Sequence, residues 1–201
     1  MLQENNFYKL TQPDIEKGSE VLRNAFINYP TFRYLFPDLN ERKKKLGQIM
    51  RFFLKCGLLH GTVIAPSKNI EGIAVWYKSG DLNFSSGSFL KAGIFGLFLS
   101  LNIRSFNRFK KLGDAKKRNR DRIPGKEYYF LDLIGIDPSF TGRGYAKMMI
   151  DSMLLQADNE NMSCFLETSN IKNIDYYGRY GFDLLSKYEY DGLESFCLLR
   201  K

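Results

Sequence analysis

Two glycines one residue apart mark the part of the sequence that could bind a ligand. Gly142 and Gly144 lie in the run TGRGYA, between an apolar stretch and a helix-like pattern. The first turn of a helix offers unpaired N–H groups and the positive end of the helix dipole, and glycines let the backbone approach a ligand closely. The run therefore indicates an anion site, although a plain tight turn would explain the glycines equally well.

Three phosphorylated ligands would satisfy that requirement: a nucleotide, a dinucleotide and coenzyme A. The phosphate loop of nucleotide hydrolases needs Gly, four residues and then Gly-Lys-Ser/Thr, and the sequence has no such run. The dinucleotide fingerprint GxGxxG would put its third glycine at Lys147, where helix and strand pack too closely for a long side chain. Neither of these two ligands fits well, and a pyrophosphate held by adjacent N–H groups stays open.

Candidate groups for proton transfer are few, and none is clearly a base. Asp132 lies in a predicted strand and Glu167 ends the run FLET. Either carboxylate could orient an amine, act through water or form a salt bridge. His60, the only histidine, follows an apolar helix pattern and is expected to end that helix rather than to take part in catalysis.

The elements that position these residues alternate in the second half of the chain. Strand patterns at 128–137 and 163–169 enclose a helix pattern that begins at Gly142. A short helix then ends near Gly181, and two strands close the chain around the turn signal Asp191-Gly192. The first half predicts a short strand, two amphipathic helices and a hairpin, at residues 7–10, 12–27, 40–59 and 63–77. We expect one domain, 1–201, of the α/β class with a mixed sheet.

Length and composition limit the classes of protein. A chain of 201 residues with 44% hydrophobic content can bury one core. The cysteines have no spacing typical of zinc sites or of a disulfide framework, so we expect no metal. The N-terminus lacks the features of a signal peptide, and no apolar run reaches the roughly 20 residues that span a bilayer. A soluble, cytoplasmic protein without stable membrane insertion is therefore expected.

Positive charge and apolar residues are both concentrated in the middle of the chain. The net charge is +8, with basic runs at 41–45 and 104–122 that we interpret as solvated helix faces or a loop. No recognition helix or aromatic platform accompanies them, so no nucleic-acid partner is expected. The apolar segment 85–106 predicts a helix partly buried over the sheet or a ligand cleft. An interfacial membrane helix is the alternative, but the segment lacks a clean polar face.

A second motif lies one strand after the glycines. The run NIKNIDYYGRYGF supplies Asn170, Asn173, Tyr177, Gly181 and Phe182. Together with LIGIDPSFTGRGYA, it resembles the GNAT superfamily of acetyl-CoA-dependent N-acetyltransferases, whose loop reads Gln or Arg, two residues, Gly, one residue, then Gly or Ala. Thr141 replaces the usual Gln or Arg here, which removes one side-chain contact and leaves the backbone cradle intact.

The similarity extends more narrowly to enzymes of the puromycin N-acetyltransferase type. The runs AFINYPTFRY, GIAVWY, FLETSNIKNIDYYGRYGF and FCLLRK carry it, whereas residues 79–126 match only loosely. The resemblance implies an α/β (α+β) fold: a mixed, largely antiparallel sheet of about seven strands flanked by helices, with a V-shaped splay between the fourth and fifth strands. It also implies acetyl-CoA as donor substrate, bound by residues 126–201, with the acceptor on the side of the N-terminal half.

The resemblance also implies roles for individual residues. The strand before the loop would pair with the pantetheine arm, the loop would hold the pyrophosphate, and two asparagines would bond the arm or simply cap a helix. These cofactor-binding residues are Ile134, Gly135 and Ile136, then Thr141, Gly142, Arg143, Gly144, Tyr145 and Ala146, then Asn170 and Asn173. Tyr177 takes the position of the general acid, since a phenol of pKa about 10 can donate to a thiolate whose thiol has a pKa of about 8.5. A core tyrosine is the alternative.

The acceptor pocket is expected in the aromatic N-terminal half. Phe26, Tyr29, Tyr34 and Trp76 would form its wall, which suits a small amine with an apolar or aromatic part. The function implied is acetyl transfer to a primary amine by direct attack in a ternary complex, in a monomer or homodimer. Acetylation of protein lysines or N-termini, and a non-catalytic module that binds coenzyme A, remain as alternatives.

Overall fold

The computed structural model describes residues 7–82, 85–121, 123 and 127–201. Within these ranges, seven strands form a single sheet in the order β1-β2-β3-β4-β5-β7-β6. The strands are β1 (Tyr8–Lys9), β2 (Thr62–Ala65), β3 (Gly72–Lys78), β4 (Tyr128–Ile136), β5 (Ser163–Thr168), β6 (Asp183–Tyr190) and β7 (Leu193–Arg200). Neighbouring strands are antiparallel except β4 and β5, which are parallel. The predicted mixed sheet is confirmed.

The helices pack on both faces of this sheet. They are α1 (Ile15–Phe26), α2 (Pro30–Leu35), α3 (Leu39–His60), α4 (Ser86–Ala92), α5 (Ile94–Ser100), α6 (Ile103–Arg120), α7 (Tyr145–Asn159) and α8 (Lys172–Gly178). Side chains of α1 to α6 join a first buried cluster on one face, and those of α7 and α8 join a second cluster on the other. We call the two faces of the sheet the first face and the second face.

Strand β3 shows how the sequence separates the two clusters. Successive side chains of a strand point to opposite faces. Val75 and Tyr77 accordingly lie in the cluster of the first face, whereas Ala74 and Trp76 lie in that of the second. All four are buried because helices cover both faces of this strand.

Several local predictions hold in the structure. His60 is the last residue of α3, as expected. Asp191 and Gly192 both have positive φ, 49° and 79°, and connect β6 to β7, as the hairpin signal predicted. The apolar segment is partly buried over the first face, but it forms two short helices rather than one. Gly93 separates α4 from α5 because its φ of 91° ends the first helix.

The predicted splay between the fourth and fifth strands is present. Pairing of β4 with β5 runs from Tyr128 opposite Ser163 to Leu131 opposite Leu166. Beyond that point β4 continues to Ile136, still paired with β3 on its other side. The edge of β4 that faces β5 is therefore unpaired from residue 132 onward.

Candidate active site

The unpaired edge of β4 is the first component of the site. It includes Ile134, Gly135 and Ile136, the residues expected to pair with a pantetheine arm. A bare strand edge presents free N–H and C=O groups that an extended ligand can pair with like an added strand. Packing also requires glycine at position 135, because a Cβ there would lie 2.9 Å from the side chains of Ala25 and Phe26. Helix α1 thus presses directly on the strand at this position.

The glycine loop follows the same strand. Gly142 and Gly144 have φ values of 79° and 80°, and Gly144 immediately precedes α7. A Cβ at either position would meet no atom within 4 Å, so glycine is needed for the left-handed backbone and not for space. The loop is exposed at the start of a 15-residue helix, where N–H groups lack partners within the helix. This arrangement fits an anion such as a pyrophosphate.

Side chains around the loop hold its shape. The carboxylate of Asp137 accepts hydrogen bonds from the backbone N–H of Ser139 and from Asn24 Nδ2, both at 3.0 Å. The hydrogen bond from the Ser139 hydroxyl, followed by those from Asn24 and the Ser139 N–H, lowers the pKa of Asp137. Thr141 Oγ1 donates to the carbonyl of Pro138 at 2.7 Å, so this side chain braces the turn.

The remaining loop residues flank the glycines. Arg143 is exposed, with its guanidinium 5.1 Å from the centre of the Phe140 ring. Tyr145 and Ala146 form the first turn of α7 and are half-buried. The loop therefore offers a cationic side chain beside the N-terminus of the helix.

A cavity of about 850 Å3 lies where β4 and β5 separate. Both strands line it, and so do α1, α3, α6 and α8. Its aromatic lining residues include Phe26, Tyr29, Phe52, Phe53, Phe89, Phe106, Phe109 and Tyr177. Its volume is within the range usual for small-molecule sites, and most of its wall is apolar, as in such sites.

Two of the carboxylates that line this cavity belong to the separating strands β4 and β5. Asp132 is the extra residue of a β-bulge in β4, since Leu131 and Leu133 pair with adjacent residues of β3 and Asp132 has no partner there. The side chain of Glu167, on β5, is only 1% exposed. Among the residues that the structure describes, none makes a hydrogen bond to Glu167 Oε2, and the ammonium of Lys116 lies 3.9 Å from it. A buried carboxylate oxygen without a hydrogen bond destabilises the folded protein unless a ligand donates a hydrogen bond to it.

Burial shifts the acidity of both groups in the same direction. Desolvation raises the pKa of Asp132 and that of Glu167, and the positive charges of Lys116 and Arg120 counteract part of each increase. The charge of Asp132 further raises the pKa of Glu167. Carboxylates with a raised pKa are better proton acceptors near neutral pH than solvated ones.

Thr168 connects the predicted asparagines to the N-terminal half. Its Oγ1 lies 2.7 Å from Tyr29 Oη and accepts a bond from Asn173 Nδ2 at 2.8 Å. The side chain of Asn170 instead accepts from the backbone N–H of Lys172 at 3.2 Å, within the turn that precedes α8. This is the cap-like role that the sequence left open for Asn170.

Tyr177 lies on α8 and lines the cavity, although it is almost fully buried. Its ring packs edge-on against Tyr176 and Phe182, with centroid distances of 5.2 and 5.8 Å. Burial raises its pKa, and the neighbouring Tyr29 adds to that increase. The phenol therefore stays protonated at neutral pH and keeps a hydroxyl hydrogen that it can donate.

Two residues of the expected aromatic wall lie elsewhere. Trp76 belongs to the cluster on the second face, because the alternation along β3 directs Tyr77 and not Trp76 toward the first. Tyr34 lies outside the cavity and donates to the carboxylate of Asp191 at 2.9 Å, beside the β6–β7 turn. Phe26 and Tyr29 do line the cavity. Tyr34 and Trp76 are therefore not part of the wall of this cavity.

Helix α6 supplies site residues that the sequence did not reveal. The lining includes Phe106, Phe109, Lys110, Gly113, Asp114, Lys116, Lys117 and Arg120. These positions recur every three or four residues, which is the spacing of one helix face. That periodicity was the available signal, but it falls in the segment interpreted as a solvated basic face or a loop.

Comparison with known proteins agrees with this geometry. A family model described as the acetyltransferase (GNAT) family matches residues 102–182. An uncharacterized N-acetyltransferase of Schizosaccharomyces pombe is 25% identical over 175 residues, which cover 84% of this chain and 70% of the relative.

Solved structures share the fold. A Corynebacterium glutamicum structure described as histone acetyltransferase HPA2 and related acetyltransferase has a TM-score of 0.67 and 20% identity, covering 96% of this chain and 94% of its own. Arylalkylamine N-acetyltransferase 2 of Aedes aegypti has a TM-score of 0.65 and 14% identity, covering 97% of each chain. Residues 102–182, which include the splayed part of β4 and the loop at the start of α7, thus match the acetyltransferase (GNAT) family model, and the chain shares the fold of these solved structures.

Proposed function

We propose that this protein transfers an acetyl group from acetyl-CoA to the primary amine of a small molecule, by direct attack while both substrates are bound. The observation that carries the proposal is Glu167 Oε2, which is buried in an aromatic-lined cavity without a hydrogen-bond partner in the described part of the chain. An ammonium or amine is a complementary donor for that oxygen. The aromatic lining suits an acceptor with an apolar or aromatic part.

The donor side rests on the loop and the strand edge. The N–H groups from Thr141 to Ala146 hold the pyrophosphate, Arg143 adds a positive charge, and residues 134–136 pair with the pantetheine arm. Asn173 can bond that arm through its carbonyl oxygen, since its amide nitrogen donates to Thr168. Acetyl-CoA supplies an activated acetyl thioester.

The reaction itself needs one proton acceptor and one hydrogen-bond donor. The amine nitrogen bonds to the acetyl carbon while the carbon–sulfur bond breaks. Glu167 takes a proton from the amine, directly or through water, and Asp132 helps to hold the amine by its charge. Tyr177 donates a hydrogen bond to the departing sulfur and stabilises it as a thiolate, because burial keeps the Tyr177 hydroxyl protonated. The proton that Glu167 removed from the amine leaves to water.

The experiment that tests the proposal measures free thiol released from acetyl-CoA in the presence of a panel of amines. We expect release with small aromatic or apolar primary amines, and less with lysine-containing peptides. Faster release with peptides would favour the protein-acetylating alternative. Binding of acetyl-CoA without release for any acceptor would favour a non-catalytic module.

A further inference from the structure

The outer surface of α4, α5 and the start of α6 carries a group of exposed apolar side chains. We call it the α5 face and define it by Leu90, Phe95, Phe98, Leu99 and Ile103. Their exposed fractions range from 43% to 81%. Single exposed apolar residues are common, but several on one short segment usually mark a contact surface.

The charged residues within this segment have one sign, and Glu41 of α3, which accepts a hydrogen bond from Asn102, is an acidic neighbour from outside it. From residue 82 to residue 113 the sequence contains no Asp or Glu, whereas it contains Lys91, Arg104, Arg108, Lys110 and Lys111. Lys91, Arg104 and Lys111 are exposed, and Lys110 is exposed as well but borders the cavity. The occupant of the face should therefore combine an apolar interior with a negative surface.

A second copy of the chain does not meet that requirement. A two-fold contact through the α5 face would bring the same basic residues of each copy together, and no acidic residue of the segment could compensate them. A membrane-spanning role does not fit either. Among the helices that the structure describes, none has both the length and the apolar character to cross a bilayer.

An anionic bilayer surface meets both parts of the requirement. Interfacial segments bury Phe and Leu side chains at the boundary of headgroups and acyl chains, while nearby Lys and Arg residues contact acidic headgroups. As a single helix, segment 85–106 would lack the polar face that an interfacial membrane helix needs. In the structure, α4 and α6 supply the basic residues on either side of the apolar α5. We propose that the α5 face docks this protein reversibly on the surface of membranes that contain anionic phospholipid.

The location of this face gives docking a consequence for the site. Phe89, Ile94, Phe106 and Phe109 belong to the same helices and line the cavity from the opposite side. The bilayer would therefore lie against the outer wall of the acceptor cavity. An amphiphilic amine dissolved in the membrane would reach that wall without crossing bulk water.

The test is co-sedimentation of the full chain with vesicles of pure phosphatidylcholine or with about 30% phosphatidylserine, at low and high salt. We expect binding to the anionic vesicles at low salt, at least about tenfold weaker binding to neutral vesicles, and a marked loss at about 0.5 M salt. The double substitution Phe95→Glu and Leu99→Glu should reduce binding at least about tenfold. Leu184→Glu, the same kind of change at an exposed leucine of β6, should leave it unchanged.

Three results would overturn the proposal. They are no sedimentation of the wild type with anionic vesicles at low salt, equal binding by the Phe95/Leu99 variant, or a wild-type dimer in solution that this variant abolishes. Circular dichroism and thiol release with a water-soluble amine would show that the variant is folded. Because neither vesicle binding nor its loss depends on turnover, failure here is distinguishable from failure of the acetyltransferase proposal.

Discussion

The ammonium of Lys116 lies 3.9 Å from Oε2 of Glu167, close enough to influence its charge but too far to form a hydrogen bond. Lys116 belongs to α6, and Glu167 belongs to β5, so a helix packed on the sheet influences the pKa of a carboxylate within it. The charge of Lys116 lowers the pKa of Glu167, whereas burial raises it.

The substitution Lys116→Met should therefore move the pH profile of the reaction. Glu167 must be deprotonated to accept a proton, so activity falls as the pH drops through its pKa. Removing Lys116 takes away a charge that lowers this pKa, and we expect the acidic limb of kcat/KM to shift to higher pH. Lys111→Met, an exposed change on the same helix, is the control and should leave the limb in place. An unshifted limb for Lys116→Met would show that Glu167 is not the titrating base.

The substitution Glu167→Gln should raise the stability of the protein and lower its activity. Folding raises the pKa of Glu167 above its ordinary value near 4.5. The protonated carboxyl therefore contributes fully to the stability of the protein below pH 4.5, and this contribution is lost as the pH rises through the pKa of the folded state. Above that pH, the neutral amide avoids the cost of a buried charge. We expect a higher melting temperature at pH 8, by about 2–4 °C for each kcal/mol gained, and turnover at least about a hundredfold lower. A variant that is less stable than the wild type and retains full activity would contradict both the cost of the buried charge and the role of Glu167 as proton acceptor.

The substitution Tyr177→Phe tests the hydrogen-bond donor. The change removes one hydroxyl and keeps the ring packed against Tyr176 and Phe182. Turnover should fall by about a hundredfold, with little change in the affinity for acetyl-CoA. Tyr176→Phe, at the next position on α8, should have a much smaller effect. Equal turnover for Tyr177→Phe and the wild type would leave Tyr177 as a core residue.

The substitution Gly144→Ala tests the loop. A side chain in left-handed backbone costs about 1–2 kcal/mol, although the space around Gly144 is open. We expect a lower melting temperature and weaker binding of acetyl-CoA, measured as a smaller thermal shift on adding the ligand. Gly96→Ala is the control, because its surroundings are equally open and its φ is not left-handed. Unchanged ligand affinity in the Gly144 variant would argue against this loop as the pyrophosphate site.

The substitution Tyr29→Phe tests the link between the start of α2 and the end of β5. Tyr29 Oη lies 2.7 Å from Thr168 Oγ1 and accepts a bond from the backbone N–H of Ser169 at 3.0 Å. Leaving that N–H without its partner should cost about 1–3 kcal/mol of unfolding free energy. We also expect a higher KM for the acceptor amine. Tyr34→Phe removes a hydroxyl bonded at an exposed site outside the cavity and should change neither quantity appreciably.

Local signals explain which parts of the fold could be predicted from the sequence. Gly142, Gly144 and Gly192 all have positive φ, and each was recognised from its neighbours as part of a turn or loop. The splay and the sheet order depend on pairing between distant segments, and they were expected only because of the resemblance to a known family.

The differences between expectation and structure have physical reasons as well. Alternation along β3 shows that Trp76 and Tyr77 point to opposite faces, but it does not say which face borders the ligand. Tyr34 stands in an aromatic run near Tyr29, yet helix α2 directs it to the β6–β7 turn, a contact 157 positions away in the sequence. The cavity face of α6 became apparent only when that helix was seen opposite Asp132 and Glu167.

The release of thiol from acetyl-CoA, measured alongside a thermal shift with acetyl-CoA alone, tests the central claim most directly. We predict stabilisation by acetyl-CoA and saturable thiol release with at least one small apolar or aromatic primary amine, reduced at least about a hundredfold in Glu167→Gln. Stabilisation without thiol release across the amine panel, or equal release by wild type and Glu167→Gln, would contradict it.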